Sequence, residues 1–566
     1  MPKNVMKLVK PSPHRARNDF DLSHRHIMSM NFGELIPVTT IETVPGDHIE
    51  MHASDLIRAI PMVTSPFLRA KQHLDVWYVP YHDLWHGFEN FITKKTQPVS
   101  SALQEHDYCP WINRYDLFKA VDDGGVNNDK DIVGRNVMLG SKRLLNYLGY
   151  GKYEFLSQSL SVYINPFRLA AYNYIWYNEY RQAYYDNGMN LIGGILPNAA
   201  YLFNFDDLTC STQSNAQISD AARLEAMAQM RYRTWKKDLF TGLLPSTQFG
   251  NVSIVDSIVD ILALNGTANI QYTVTVNPSL NDGKFGISQV NSGLVDSNIQ
   301  VYPLNGHAGV DVLALRKSEA IQIWRESALR AGNRVKDNMR AHYGVESDVK
   351  DHRPIYLGSV SAPLNIGDVM ATANSDYTGN TNPNTNVGDI AGKGLSSLDE
   401  KVFKFDAKDF GVIMVMASIL PEAEYNAEGI SRPNQLLEAE DFFTPEYENL
   451  GLEAVSSQTF KHTTTNIQKV VGYAPRYFGY KTKLDKCYDD FMTNGSLASW
   501  CSPKYDVTQA LSTPQTILPL SCLYVNPNVF NVNFSVSLIN SPQFLCDFYF
   551  DVDAVRPMSV IGLPFS

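Results

Sequence analysis

The chain runs to 566 residues with 44% apolar and 19% charged side chains and a formal net charge of −11. It is therefore long enough for several domains, poorer in charge than the roughly 25% of an average soluble protein, and not a globally basic nucleic-acid binder. Low charge suits a protein that hides much of its surface against copies of itself, and the 30 tyrosines, 27 phenylalanines and 29 prolines favour strands joined by long ordered loops.

Residues 1–17 carry Lys3, Lys7, Lys10, Arg15 and Arg17 and no acid, so this arm holds +5 against −16 in the remaining 549 residues. Two readings stand for such an arm: a solvated start to the chain, or a tail that faces nucleic acid. Phe32 to Val38 and Leu74 to Val79 read as strands, the second closed by Pro80. Residues 166–185 read as a helix opened by Pro166, with Leu169, Tyr172, Ile175 and Trp176 at helical spacing.

Residues 246–305 change character. They are rich in Ser, Asn, Thr, Val and Gly, with short alternating runs near Ile270 to Val276, and read as an inserted, surface-projecting subdomain. A helix follows, with Ala320, Ile321, Trp324, Ala328, Ala331, Val335 and Met339 as its apolar stripe and Gly344 as its end. Its basic face is either solvated or in contact with phosphate or a neighbouring subunit. Gly411 to Ala417, Val532 to Leu538 and Phe544 to Val552 read as further strands. Strands scattered along the whole chain with long connections predict a mainly β fold, a jelly roll with long, partly helical insertions. The expected division is 1–30 as a basic arm, 31–245 as the first part of the core, 246–305 as the surface insertion, and 306–566 as the helix, loops and remaining strands.

The chemistry of enzymes is not legible. The string GDIAGKG from Gly388 resembles a phosphate loop, but three residues separate its glycines instead of four, and Gly394 stands where Ser or Thr would bind magnesium. No HExxH, GxSxG or dinucleotide fingerprint occurs. His24 and His26 point to one face of a strand without a third ligand. Asp206-Asp207 and Asp489-Asp490 are adjacent carboxylates that diverge on a strand. The six cysteines, Cys109, Cys210, Cys487, Cys501, Cys522 and Cys546, form no CxxC pair, and the reading is buried free thiols in a reducing cytoplasm. No run of 18 apolar residues occurs, so no segment reads as a membrane span, and the start lacks the apolar core of a signal peptide. The expectation is no catalytic residue, no cofactor and no transition-metal centre. From the residues alone, the rival reading is a carbohydrate-binding β protein, since fold does not settle function.

Six segments, in order across nearly the whole chain, resemble blocks of the major capsid proteins of gokushoviruses, a branch of the Microviridae, which are small single-stranded-DNA bacteriophages. They are FDLSHRHIMSMNFGELIPVTTIETVPGD from Phe20, WYVPYHDLWHGFENF from Trp77, KKDLFTGLLPSTQFG from Lys236, HYGVESDVKDHRPIYLGS from His342, GYAPRYFGYK from Gly472 and VRPMSVIGLP from Val555. Leu239 replaces the tyrosine of the family's DYFT block, and Ser246-Thr247 replaces its Trp-Pro pair.

The resemblance implies an eight-stranded antiparallel jelly roll of the viral capsid type and a T=1 shell of sixty copies, assembled in a bacterial cytoplasm around circular single-stranded DNA. It also implies an insertion that clusters by threes into surface protrusions, which residues 246–305 match in position and composition. Further partners implied are a small basic internal DNA-binding protein, a pilot or minor virion protein and a host cell-surface receptor. In that setting Lys3, Lys7, Lys10, Arg15 and Arg17 are expected to face DNA, and Asn281, Asp282 and Lys284 to meet the host. Sixty arms supply about 300 positive charges against about 1,700 phosphates for the coding length of this chain alone. Most of the neutralisation must therefore come from cations or from the small basic protein.

Overall fold

The computed structural model describes residues 17–93, 108–121, 137–152, 162–186, 190–191, 194–195, 198–208, 210–248, 272–275, 286–289, 312–331, 340–344, 353–370, 372, 390–461, 470–501, 520–535 and 542–560. The chain divides into two compact units, one of residues 1–245 and 350–566, the other Ser246–Val349.

The larger unit is built on two antiparallel sheets. The strands of these two sheets, in chain order, are β1 (Asn18–Asp21), β2 (His24–Met30), β3 (Ile36–Thr43), β4 (His48–Ala59), β5 (Ala70–Pro80), β6 (Ile355–Pro363), β7 (Asn365–Met370), β8 (Ile390–Asp406), β9 (Gly411–Pro421) and β10 (Phe544–Arg556). The first sheet runs β1/β2-β10-β4-β8-β7, with β1 and β2 both paired to β10; the second runs β6-β5-β9-β3. β1 and β2 are one strand interrupted at Leu22-Ser23, where Ser23 Oγ reaches Asp551 Oδ1 at 2.9 Å and Leu22 N–H still donates to Val552 O. Counting that pair once and β7 as an extra edge, the eight strand positions fall in the orders 1-8-3-6 and 2-7-4-5.

The burial patterns follow from what covers each sheet. In β10, Phe544, Cys546, Phe548, Phe550, Val552 and Ala554 are buried and their neighbours turn outward. That period of two marks a sheet with one face in the core and one in solvent. β9 instead is buried almost throughout, as is the second half of β5, because its sheet is covered on both faces. The second cover is a helical layer from the β5–β6 connection: α1 (Val137–Tyr147), α2 (Phe167–Ile175) and α3 (Ala221–Ala228). Asp220 caps α3 by accepting from Ala222 N–H at 3.1 Å. Asn165 Oδ1 does the same for Phe167 N–H at 2.7 Å, just before α2.

Three sequence expectations need correcting. The helix read over 166–185 is α only to Ile175, continues as one π turn over Trp176–Tyr180, and is extended at Arg181. The π turn brings the Tyr180 hydroxyl to Trp77 Nε1 at 2.9 Å and to Asp75 Oδ2 at 2.7 Å. Phe32 to Glu34 is a turn before β3 rather than strand. Gly33 sits there at φ +72°, where a side chain would strike Val525. The alternation over Val532 to Leu538 is also not strand where described, since Pro527–Asn533 is a 3₁₀ segment with Asn526 capping Asn528 N–H. Proline and asparagine at a turn start outweigh the alternation.

Among its described residues, the smaller unit includes a hairpin, Tyr272–Thr275 paired with Gly286–Gln289, and helix α4 (Val312–Ala331). Helix α4 belongs to the compact unit Ser246–Val349.

Candidate functional surfaces

The exposed face of the first sheet is laced with ion pairs. Arg25 holds Asp547 at 2.5 Å and Glu50 takes both Lys401 and Lys404, while His48 Nδ1 lies at hydrogen-bond distance, 2.5 Å, from Asp406 Oδ1. Toward one end the carboxylates outnumber their partners: Asp553 has its carboxyl pushed up by desolvation and then by Asp19, Asp551, Asp21 and Glu50. Ile27, Leu545 and Tyr549 stand exposed on the same strands. The face thus combines mixed charge with isolated exposed apolar side chains.

Arg17, the one arm residue described, is exposed where the chain enters β1 and lowers the Asp406 carboxyl only as a minor contributor, behind the hydrogen bond from His48. Lys3, Lys7, Lys10 and Arg15 lie outside the described residues. So do Asn281, Asp282 and Lys284, which fall in the connection between the two strands of the small hairpin.

Other pairs singled out from sequence resolve into packing. His24 Nε2 meets Thr39 Oγ1 and His26 Nδ1 meets Val38 O, both at 2.7 Å, so each imidazole is engaged across the sandwich. Asp206 binds His86 while Asp207 binds Arg223 at 2.7 Å. Of the phosphate-loop lookalike, Gly392 and Gly394 lie inside β8. There a Cβ at Gly392 would stand 2.3 Å from Thr64 O, so this glycine serves close backbone approach.

Beneath the second sheet lies a buried polar network that no local motif announces. Asp75 accepts from Tyr180 and from Arg233 Nη1 at 3.1 Å, and Arg233 also donates to Ser418 Oγ at 2.8 Å. Close by, Arg231 is buried and, among the described residues, has no carboxylate in its hydrogen bonds. It donates to Asn173 Oδ1 and Ala226 O and lies 4.5 Å over the Trp176 ring, and burial lowers its pKa to about 10.

The cysteines, dispersed in sequence, are not all dispersed in space. Burial pushes the thiols of Cys109 and Cys210 up to about 12, which makes them inert. Cys487 and Cys501 converge with Glu424, their three ligating atoms lying within 4.8 Å of one another. A thirteen-residue gap between the cysteines, with the glutamate 63 positions before the first, hides the group from any spacing rule.

Further large apolar side chains are exposed. Leu437 is 87% exposed and Leu450 64% exposed in the β9–β10 connection. In the smaller unit, Trp324 of α4 is 57% exposed, although the sequence places it in the apolar stripe.

Comparison with known proteins gives one consistent result. The family described as "Capsid protein (F protein)" matches residues 9–126 and 144–565. Capsid protein VP1 of Chlamydia phage 1 is 23% identical over 98% of this chain and 96% of its own length. Capsid protein VP1 of Bdellovibrio phage phiMH2K is 22% identical with the same coverage. That of Spiroplasma virus 4 is 22% identical over 64% of this chain and 62% of its own.

Proposed function

Because this chain belongs to the phage capsid protein (F protein) family, and is thus a structural subunit of a microvirus virion rather than an enzyme, we propose that sixty copies close a T=1 icosahedral shell around circular single-stranded DNA. The observation that carries the reading is the strand order. Orders of 1-8-3-6 and 2-7-4-5 in two facing antiparallel sheets are those of the eight-stranded jelly roll, here the viral capsid type. The long β5–β6 and β9–β10 connections supply the remaining surface. The exposed apolar side chains Ile27, Leu437, Leu450 and Trp324 suit burial against neighbouring copies.

The stretch expected as an arm over 1–30 is strand from Asn18 on, and within that shell the basic residues ahead of β1, Lys3, Lys7, Lys10, Arg15 and Arg17, face the interior and meet phosphates. A small basic internal protein supplies the charge the arms lack, and a pilot protein completes the virion. Residues 246–305 form protrusions at the three-fold axes, with Asn281, Asp282 and Lys284 at tips that contact a host receptor. Expressing the chain and imaging it by electron microscopy tests the central claim. Closed particles of sixty subunits are the expected result, and monodisperse monomers at high concentration would refute it.

A further inference from the structure

We propose that Glu424, Cys487 and Cys501 form a zinc site that fastens the surface loop of residues 488–501 to the body of the subunit. Cys487 lies in the short parallel pairing of Lys486–Cys487 with Tyr425–Asn426, directly after Glu424 on the partner segment. The backbone on both sides is pinned: Tyr425 N–H donates to Asp485 O at 3.0 Å and Ala427 N–H to Cys487 O at 2.9 Å. Cys501 comes from a third segment, just after the 3₁₀ turn Ala498–Trp500, and its carbonyl accepts from Asn533 Nδ2 at 3.0 Å. The same asparagine holds Ser499 O at 3.0 Å, Thr64 Oγ1 donates to Ser499 O at 2.7 Å, and Phe67 N–H donates to Trp500 O at 2.7 Å. Three fixed backbones thus deliver two thiols and a carboxylate to one point.

The donor set selects the metal. Zinc takes thiolates at about 2.3 Å and carboxylate oxygen at about 2.0–2.2 Å in a tetrahedron, which sets the ligand atoms roughly 3.5–4 Å apart. The observed group fits within that span with small adjustment: all three atoms lie within 4.8 Å, and Cys487 Sγ is already 3.3 Å from Glu424 Oε2. Two soft thiolates disfavour calcium and magnesium. The cysteines are 9% and 8% exposed and neither is in a disulfide, so the site is shielded from solvent and its sulfurs are in the reduced form. Binding displaces the thiol protons and leaves a fourth position for water.

The test uses the full chain, purified under reducing conditions, stripped with a chelator and titrated with cobalt(II) and then zinc(II). One equivalent per chain is expected, with a thiolate-to-cobalt charge-transfer absorption that zinc abolishes. Cys487→Ser and Cys501→Ser should each lose the absorption, and Glu424→Gln should weaken binding while retaining it. A second measurement needs no variant: zinc should protect Cys487 and Cys501 from alkylation, mapped by mass spectrometry, and leave Cys109, Cys210, Cys522 and Cys546 unchanged. Proteolysis within 488–500 should be faster in the stripped protein. Absence of the absorption in the intact chain, protection falling on other cysteines, or a Cys487–Cys501 disulfide in place of bound metal would each overturn the proposal.

Discussion

Asp55 shows how a single side chain sets the pH response of the sandwich. It lies in β4, faces the core and accepts both hydrogen bonds of the Gln72 amide, at 2.9 and 3.1 Å. Burial pushes its carboxyl from the ordinary 3.8 up to about 6, against the hydrogen bonds from Gln72 and the Leu398 backbone. Between those values the folded chain holds a proton that the unfolded chain has released, so stability falls as pH rises through that window. A gap of about two units corresponds to about 3 kcal/mol. Asp55→Asn removes the ionisation, and its new N–H group can serve Gln72 Oε1, which has no hydrogen-bond partner among the described residues. Chemical denaturation from about pH 4 to pH 7 should show the variant more stable at neutral pH and nearly flat across the window. Parallel profiles for the two chains would show that Asp55 does not carry this dependence. The Asp75 network obeys the opposite logic, because its charges are already matched. Asp75→Ala strands a half-buried guanidinium and should cost about 2–3 kcal/mol, whereas removing Asp75 and Arg233 together should cost less than the sum of the single changes. A double-mutant cycle measures the difference. Neither site was legible in the sequence, since Asp75, Tyr180 and Arg233 are more than fifty residues apart and meet only once the helical layer is laid on the sheet.

Elements were legible where one physical cause dominated. β10 alternates because one face is wet, and β9 is continuously apolar because neither is; both patterns stand out in the sequence. Expectations missed where local and tertiary causes competed. The Val532 to Leu538 alternation yields to a proline-initiated turn, and the stripe of α4 leaves Trp324 exposed where the sequence alone predicts burial. For the arm, changing Lys3, Lys7, Lys10, Arg15 and Arg17 to Ala should reduce packaged DNA or its retention at raised salt, measured by the nucleic-acid content of purified particles. Unchanged content and salt stability would remove the arm from DNA binding. For the insertion, replacing Asn281, Asp282 and Lys284 with Ser leaves the hairpin strands untouched. It should preserve particle assembly and abolish or alter adsorption to cells. Assembly lost while surviving particles adsorb normally would assign the segment to subunit contact instead.

At the scale of the molecule, the strand order has a consequence for how the subunit is made. β10 is the last described strand to be synthesised, yet it lies between β1/β2 and β4, three of the earliest. Asn18 pairs with Arg556 across nearly the full chain. Until β10 arrives, the two early segments present open edges that it alone bridges, and half of the sandwich has no continuous sheet. Folding of this kind is slow and dominated by non-local closure. It also works as a proofreading step. A nascent or prematurely terminated chain lacks this strand and has unpaired strand edges and an uncovered core, the features that expose incomplete chains to chaperones and proteolysis in general. Shell building thereby becomes conditional on complete translation, and a defective copy is withheld from an assembly in which one bad tile would spoil fifty-nine others in the proposed sixty-subunit shell.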